Sequence, residues 1–349
     1  MTEYSDWGGG SPVVTSTIRP LQLPEDYEGI ARLLNSYWPE PTTAERLMED
    51  DAKMYTEGHT YLNADGLLAG YDRTRRVAVT AAGEIVGYLL SWRAPWTEPG
   101  QINNTLIVMK SYRRQGVGQL LARHAALWSQ GLGAKRLVSE IWDDCEDSLR
   151  FARHQGFTVE RHTYQSVLPM EHFDRSSFGG VELFRKLEGR GLRFTTLKDE
   201  FTPQNEEKLY ELYKETLVDI PGFHEEVPPI REWRTWLLEV DGYAPDQVLI
   251  AADRDRYIGV TNVLYNPSTK GMYHEYTGVS RKYRGQGIGL ALKLKAIQLA
   301  KQRGAVYIRT DNDSLNEPIL RINSQLGYKP LRGQYKITAN IEDIVRCSS

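Results

Sequence analysis

Arg284-Gly285-Gln286-Gly287-Ile288-Gly289 joins a cation to a backbone with little side-chain bulk. A strand-like run, Met272 to Val279, enters this loop, and a helical pattern, Leu290 to Lys301, leaves it. Such a loop lets backbone N–H groups approach an anion closely, while the new helix adds its positive N-terminal end. Bare amides and a helix dipole are what a pyrophosphate cradle requires; the bland alternative is a plain glycine-rich turn.

Three glycine patterns compete. A P-loop would need Lys-Ser or Lys-Thr after the glycines, and neither follows. The dinucleotide fingerprint GxGxxG fails because position 290 is Leu. The pattern Arg/Gln-x-x-Gly-x-Gly/Ala is met by Arg284, Gly287 and Gly289. It recurs 171 positions earlier, in Arg113-Arg114-Gln115-Gly116-Val117-Gly118. Gly133-Ala134 and Gly304-Ala305 share that offset, as do Gly156-Phe157 and Gly327-Tyr328. Ile85-Val86-Gly87 matches Tyr257-Ile258-Gly259 at an offset one larger. Each landmark is weak, but four in one order and nearly one register mean two copies of one module. The twice-used loop resembles the acetyl-CoA loop of the Gcn5-related N-acetyltransferases (GNAT).

The elements around the loops repeat as well. In the first copy the pattern predicts a strand at Ile18, helices over Asp26–Tyr37 and Thr43–Tyr55, and strands over Arg75–Thr80, Glu84–Trp92 and Ile102–Val108. After the loop come a helix over Gln119–Gln130, a strand, a helix over Glu146–His154 and a strand over Thr158–Leu168. Arg193–Thr338 repeats this order. The expected organisation is a flexible leader over 1–15, a first domain over 16–170, a linker over 171–191 and a second domain over 192–349. A short helix, Val181–Leu187, is expected inside the linker. Mixed strands and helices of this order indicate an α/β (mixed α+β) class. The resemblance implies two tandem acyl-CoA N-acyltransferase folds, each a mixed, mostly antiparallel sheet flanked by helices.

A chain of 349 residues with 40% hydrophobic content suits two such domains. A net charge of -3 offers no bulk attraction for nucleic acid. No apolar run approaches a membrane span, the N-terminus lacks the apolar core of a signal peptide, and Cys145 and Cys347 show no zinc spacing. A cytoplasmic protein without metal, nucleic-acid or membrane partners is expected; the oligomeric state is left open.

The resemblance supplies the chemistry. It implies acetyl-CoA as acyl donor and places cofactor contacts at Thr277, Gly278 and Val279, the loop Arg284 to Gly289, and Asn312, Asn316 and Asn323. Thr277 and Val279 would offer backbone N–H groups to the thioester. Strand alternation puts Glu275 on one face with Tyr273, Thr277 and Val279. Family members carry a general base at or near this place, which nominates Glu275, with Tyr273 as a further catalytic candidate. The first copy has Asn104 at the position assigned to Glu275 and Leu106 at that of Thr277, so it is read as degenerate, with Arg113 to Gly118 as a possible second cofactor site. Where the family commonly carries a Tyr able to protonate the thiolate, this chain has Asn323.

The acceptor is expected to be a primary amine on a small molecule. Acidic residues around Glu206, Glu207, Glu211, Asp219, Glu225, Glu226 and Glu232 suggest a cationic amine or antibiotic, although an ordinary charged helix face explains them as well. Two alternatives stand beside this reading: a protein or peptide N-acetyltransferase, and a CoA-binding regulatory protein without turnover. Trp233 and Trp236 are read as core, and so are Trp38 and Trp142.

Overall fold

The computed structural model describes residues 16–37, 41–54, 57–173, 180–223 and 227–347. The expected leader, Trp38, Glu225 and Glu226 lie outside the described residues, as do the side chains of Trp236 and Cys347.

The chain begins with β1 (Thr17–Pro20), α1 (Tyr27–Asn35) and α2 (Ala44–Ala52), the last capped by Thr43, whose hydroxyl accepts from the Arg46 N–H at 3.1 Å. Strands β2 (His59–Leu62), β3 (Leu68–Val79), β4 (Ile85–Arg93) and β5 (Gln101–Val108) lead to α3 (Val117–Gly131). Next come β6 (Arg136–Trp142), α4 (Glu146–His154), β7 (Thr158–Pro169) and α5 (Gly180–Glu188). The second half runs β8 (Leu192–Thr196), α6 (Pro203–Leu217), α7 (Ile230–Leu238), β9 (Val248–Asp253), β10 (Arg256–Asn266) and β11 (Gly271–Val279). It closes with α8 (Ile288–Gln302), β12 (Tyr307–Asp313), α9 (Glu317–Gln325), β13 (Lys329–Asn340) and α10 (Ile341–Cys347). The sequence pattern missed β2 and half of β3, and it started α3 and α8 two residues late.

The chain forms two compact units, residues 1–160 with 335–349, and residues 161–334. These differ from the expected boundaries at 170 and 192 because the final strands change places. From Arg161 onward, β7 pairs antiparallel with β12 of the second unit, Arg161 being followed by Thr163↔Asp313 through Pro169↔Tyr307. From Tyr335 onward, β13 belongs to the first unit, where Arg136 donates to the Thr338 hydroxyl at 2.6 Å and Ile341 and Ile344 enter the core. The supposed linker is also structural, since Leu183 and Phe184 of α5 pack on the second unit's core.

In the first unit the strand order is β1-β3-β4-β5-β6-β13, with β2 on β3, and only β5 and β6 run parallel among the pairs described. Its faces are covered by α3 with α10 and by α1. In the second unit the order is β7-β12-β11-β10-β9-β8, with β11 and β12 parallel. There α8 covers one face, while α6 and α7 cover the other, around Trp233, which is fully buried between Tyr210 and Tyr213. Trp233 is therefore core, as its helical spacing suggested.

Candidate active site

Strand β11 separates from β12 halfway along. Their parallel pairing runs from Gly271↔Tyr307 to His274↔Thr310 and stops. The Ser280 N–H donates to the Ile258 carbonyl of β10 at 2.9 Å, so by strand alternation the amides of Thr277 and Val279 point the other way, into the gap. The first unit has the same split. Pairing of β5 with β6 ends at Asn104↔Ser139, and the Met109 N–H donates to Val86 at 2.9 Å.

The two organising strands differ by one residue. In β11, Tyr276 faces Asn262 and His274 faces Val263, leaving Glu275 bulged with no opposite residue. Strand β5 pairs with β4 without interruption from Asn103 to Val108. This overturns two sequence expectations. The bulge breaks alternation: Met272 and Val279 both pack with the α8 core and His274 bonds Thr277, while Tyr276 packs with the α6 side. Glu275 and Tyr273 therefore do not share a face with Thr277 and Val279. Asn104, which ends the parallel pairing in its unit, corresponds to His274 instead of Glu275. Glu275 has no counterpart in the first copy. The constant offset of the loops concealed the insertion, because the second copy's preceding hairpin is two residues shorter (Trp92↔Asn103 against Leu264↔Tyr273), a loss that the bulge half restores.

A shared polar cluster marks each split. In the first unit Ser91 donates to Asn104 Oδ1 at 2.5 Å and Ser139 donates to the Asn104 carbonyl at 2.8 Å. In the second, the Thr261 hydroxyl lies 2.5 Å from His274 Nε2 and Thr310 donates to the His274 carbonyl at 3.1 Å. His274 Nε2 also lies 2.9 Å from the Thr277 hydroxyl, tying the bulge to the residue whose amide faces the gap. Burial pushes the imidazole well below its ordinary pKa, so His274 is neutral and acts as a hydrogen-bonding brace.

On the α6 side of the sheet, Glu275 is exposed and stands near Asp311, Tyr213 and Tyr273. Partial desolvation, and then the like charge of Asp311, raise its pKa above the ordinary carboxylate value. Tyr273 donates its phenol proton to Asp311 at 2.5 Å; burial and that carboxylate raise its pKa, so it stays neutral. Asp311 was missed from sequence, although β12 alternation places it two residues after Arg309 on the same face.

The loops are built alike. Arg284 Nε donates to the Val279 carbonyl at 3.0 Å, and Arg113 Nε to Val108 at 3.1 Å. Gln286 and Gln115 each donate to a carbonyl four residues back, at 3.3 and 3.0 Å. Gly287 (φ 86°) and Gly116 (φ 84°) sit in the left-handed region at the helix N-caps, and Ile288 and Val117 bury just inside. Position 285 is Gly at φ 72°, whereas its counterpart Arg114 holds φ 63° at a cost of roughly 1 kcal/mol. Gly289 and Gly118 serve packing: a Cβ would meet Ile322 at 3.3 Å or Phe151 at 3.2 Å. No atom lies within 4 Å of a Cβ built on Gly285, so the second loop presents its backbone freely. These amides, the dipole of α8 and the gap-facing amides of Thr277 and Val279, with Gly278 turned toward β10 between them, fit a pyrophosphate and a thioester carbonyl.

The three asparagines divide. Asn323 donates to Asn312 at 2.7 Å, and Asn312 donates to Ser166 at 2.7 Å, both in the buried interior. Their amides are thus largely committed to each other and to β7, with Asn323 Oδ1 the unpartnered acceptor. Asn316 sits half-buried at the N-cap of α9, where its side chain caps nothing. Beside them lie Lys293, fully buried under the Tyr328 ring, and the unpartnered Tyr328 hydroxyl. Desolvation lowers the Lys293 pKa to about 7. The first copy fills the equivalent wedge with Ala122, Ile141, Ala152 and Phe157, an apolar set. A polar wedge beside the split is thus peculiar to the second copy.

Three members of the acidic rim have basic partners. Glu206 is buried against Arg234, Glu211 pairs with Lys214, and Asp219 pairs with both Arg281 and Arg284. Asp219 also offsets the loop's own charge. Asp219→Asn should therefore tighten acetyl-CoA binding several-fold at low salt, with the gain shrinking at high ionic strength in a calorimetric titration. Unchanged affinity at both salts would show that the pair does not bear on the loop.

Comparisons with known proteins agree with this geometry. The model of the acetyltransferase (GNAT) family matches residues 29–157 and again 206–326. A GCN5-related N-acetyltransferase from Sphaerobacter thermophilus has a similar structure at 17% identity, covering 93% of this chain and 96% of its own, with TM-score 0.57. A tandem GNAT protein from the clavulanic acid biosynthesis pathway is similar over 94% of this chain and 99% of its own, at 16% identity and TM-score 0.51. N-alpha-acetyltransferase 30 of Schizosaccharomyces pombe is 28% identical over 105 residues, 29% of this chain and 70% of that protein.

Proposed function

This chain belongs to the acetyltransferase (GNAT) family, and from that premise we propose that its second copy moves an acetyl group from acetyl-CoA to a primary amine by direct attack, while its first copy performs no transfer. The observation that carries this reading is the single bulged residue of β11, which adds a carboxylate at the split in one copy only.

Acetyl-CoA supplies an activated acyl group on a thiol leaving group. The chain's own residues do the remainder. The amides of Thr277 and Val279, held by the His274 brace, stand where a developing negative charge on a thioester oxygen would need donors. An alkyl ammonium with a pKa near ~10 is almost wholly protonated at neutral pH, so the acceptor must lose a proton before it can attack. Glu275, with its raised pKa, takes that proton directly or through water. Asp311 fixes Tyr273 beside it. Asn323 stands where a family Tyr could protonate the thiolate, and a thiolate leaves without that help.

The acceptor is read as a small molecule. The local likeness to an N-alpha-acetyltransferase is the observation favouring a protein amine instead. Direct attack requires both substrates on the enzyme together. Initial rates with varied acetyl-CoA and amine should therefore give intersecting double-reciprocal lines. Parallel lines would indicate an acetylated enzyme and refute direct attack.

A further inference from the structure

A cleft of about 410 Å³ opens in the second unit, at the start of β11. Its walls include Asp241, Gly242, Tyr265, Tyr273, Tyr307 and Arg309. It adjoins Tyr273, which is bonded to Asp311 and lies two residues from Glu275. Arg309 faces Tyr273 across the β11–β12 pairing. It rests against the Tyr307 ring at 5.1 Å and has no carboxylate partner among the described residues. Asp241 is exposed on the wall that carries Gly242. That wall is fixed: Gln247, fully buried, donates to the Gly242 carbonyl at 2.6 Å and to Val263 at 3.0 Å, and Tyr265 donates to Gly242 at 3.0 Å. Space for Tyr307 exists because residue 271 is Gly, where a Cβ would fall 2.4 Å from the ring.

A preformed cleft with one cation and one carboxylate, neither ion-paired among the described residues, suits a zwitterion. From the level of Arg309 to that of Asp311 and the bulge is two residues, about 6.6 Å along the strand. A three- or four-carbon chain bridges that length. We propose that the cleft holds the α-amino acid head of a diamino acid, carboxylate on Arg309 and α-ammonium on Asp241, with the terminal side-chain amine delivered to Glu275. The aliphatic chain would then run over Tyr273. In the transfer Glu275 takes the first proton of the ammonium and passes it to water; the amine nitrogen then forms the new bond to the acetyl carbon as the carbon–sulfur bond breaks, the second nitrogen proton goes to Glu275, and CoA leaves as its thiolate. This inference rests on the transferase reading of the same site.

The test compares L-lysine and L-ornithine with analogues lacking one head group: 1,5-diaminopentane without the carboxylate, and 6-aminohexanoate without the α-ammonium. CoA release by the full chain gives kcat/KM for each. Wild type should prefer the diamino acids at least ~10-fold over both analogues, through KM. Arg309→Gln should erase the preference over diaminopentane alone, and Asp241→Asn the preference over aminohexanoate alone. Norleucine, which has the head but no terminal amine, should compete against wild type and fail against both variants. Equal rates for all four amines overturn the inference, as do variants that leave the preferences unchanged, a better rate with a peptide amine, or no turnover of any of them by protein that binds acetyl-CoA. Failure to bind acetyl-CoA at all would instead refute the transferase reading beneath it.

Discussion

Glu275→Gln should lower kcat by roughly 10²- to 10⁴-fold with little change in acetyl-CoA affinity, the span expected for losing a general base. The side chain is nearly isosteric and points away from the gap-facing amides of Thr277 and Val279, so the donor's site should be intact. The pH profile separates proton removal from positioning. In wild type, kcat should fall as pH drops through the pKa of Glu275, which lies above the ordinary carboxylate range. In the Gln variant that acid limb should vanish. Stability should move the opposite way from activity. A carboxyl whose pKa is raised by folding destabilises the native state once pH exceeds its unfolded value, so the neutral amide should be no less stable at neutral pH. A full rate across pH 6 to 9, or an unaltered acid limb, would remove Glu275 from the role of base.

Gly287→Val should abolish detectable acetyl-CoA binding to the second copy, a loss of about 100-fold or more, whereas Gly116→Val should leave turnover near wild type. Gly287 holds φ 86°, where a β-branched residue is strained by roughly 1–2 kcal/mol, and its new Cβ would fall 2.8 Å from Leu183 of α5. The cost falls on the loop whose amides form the cradle. Gly116 has the same φ and an open surrounding, which makes it a matched control for backbone strain without the second site. Circular dichroism and thermal unfolding would separate loss of the loop from loss of the fold. If Gly116→Val abolished turnover and Gly287→Val did not, the roles of the two copies would be reversed.

Much of this site was legible before any coordinates. Bare glycines between a strand and a helix marked the anion loop, and a loop used twice at one offset gave the duplication. The bulge was invisible for a physical reason. Period-two alternation assumes an unbroken ladder, and the one residue added at Glu275 was hidden beside a two-residue shortening of the preceding hairpin. The exchange of β7 and the end of β13 could not be read either, because strand pairing between distant segments leaves no local signal. Charges counted along a sequence do not reveal their partners: Asp219 meets Arg281 and Arg284 only once the chain folds. Arg309 and Asp311 became interpretable only when β12 was placed beside β11.

Amide hydrogen exchange with and without acetyl-CoA tests the central claim most directly, because the assignment of function to the second copy rests on its backbone amides. Binding should slow exchange across 276–290, which contains the amides of Thr277, Val279 and the Gly loop. Slowing confined to 105–118, with 276–290 unchanged, would contradict it and move the donor to the first copy.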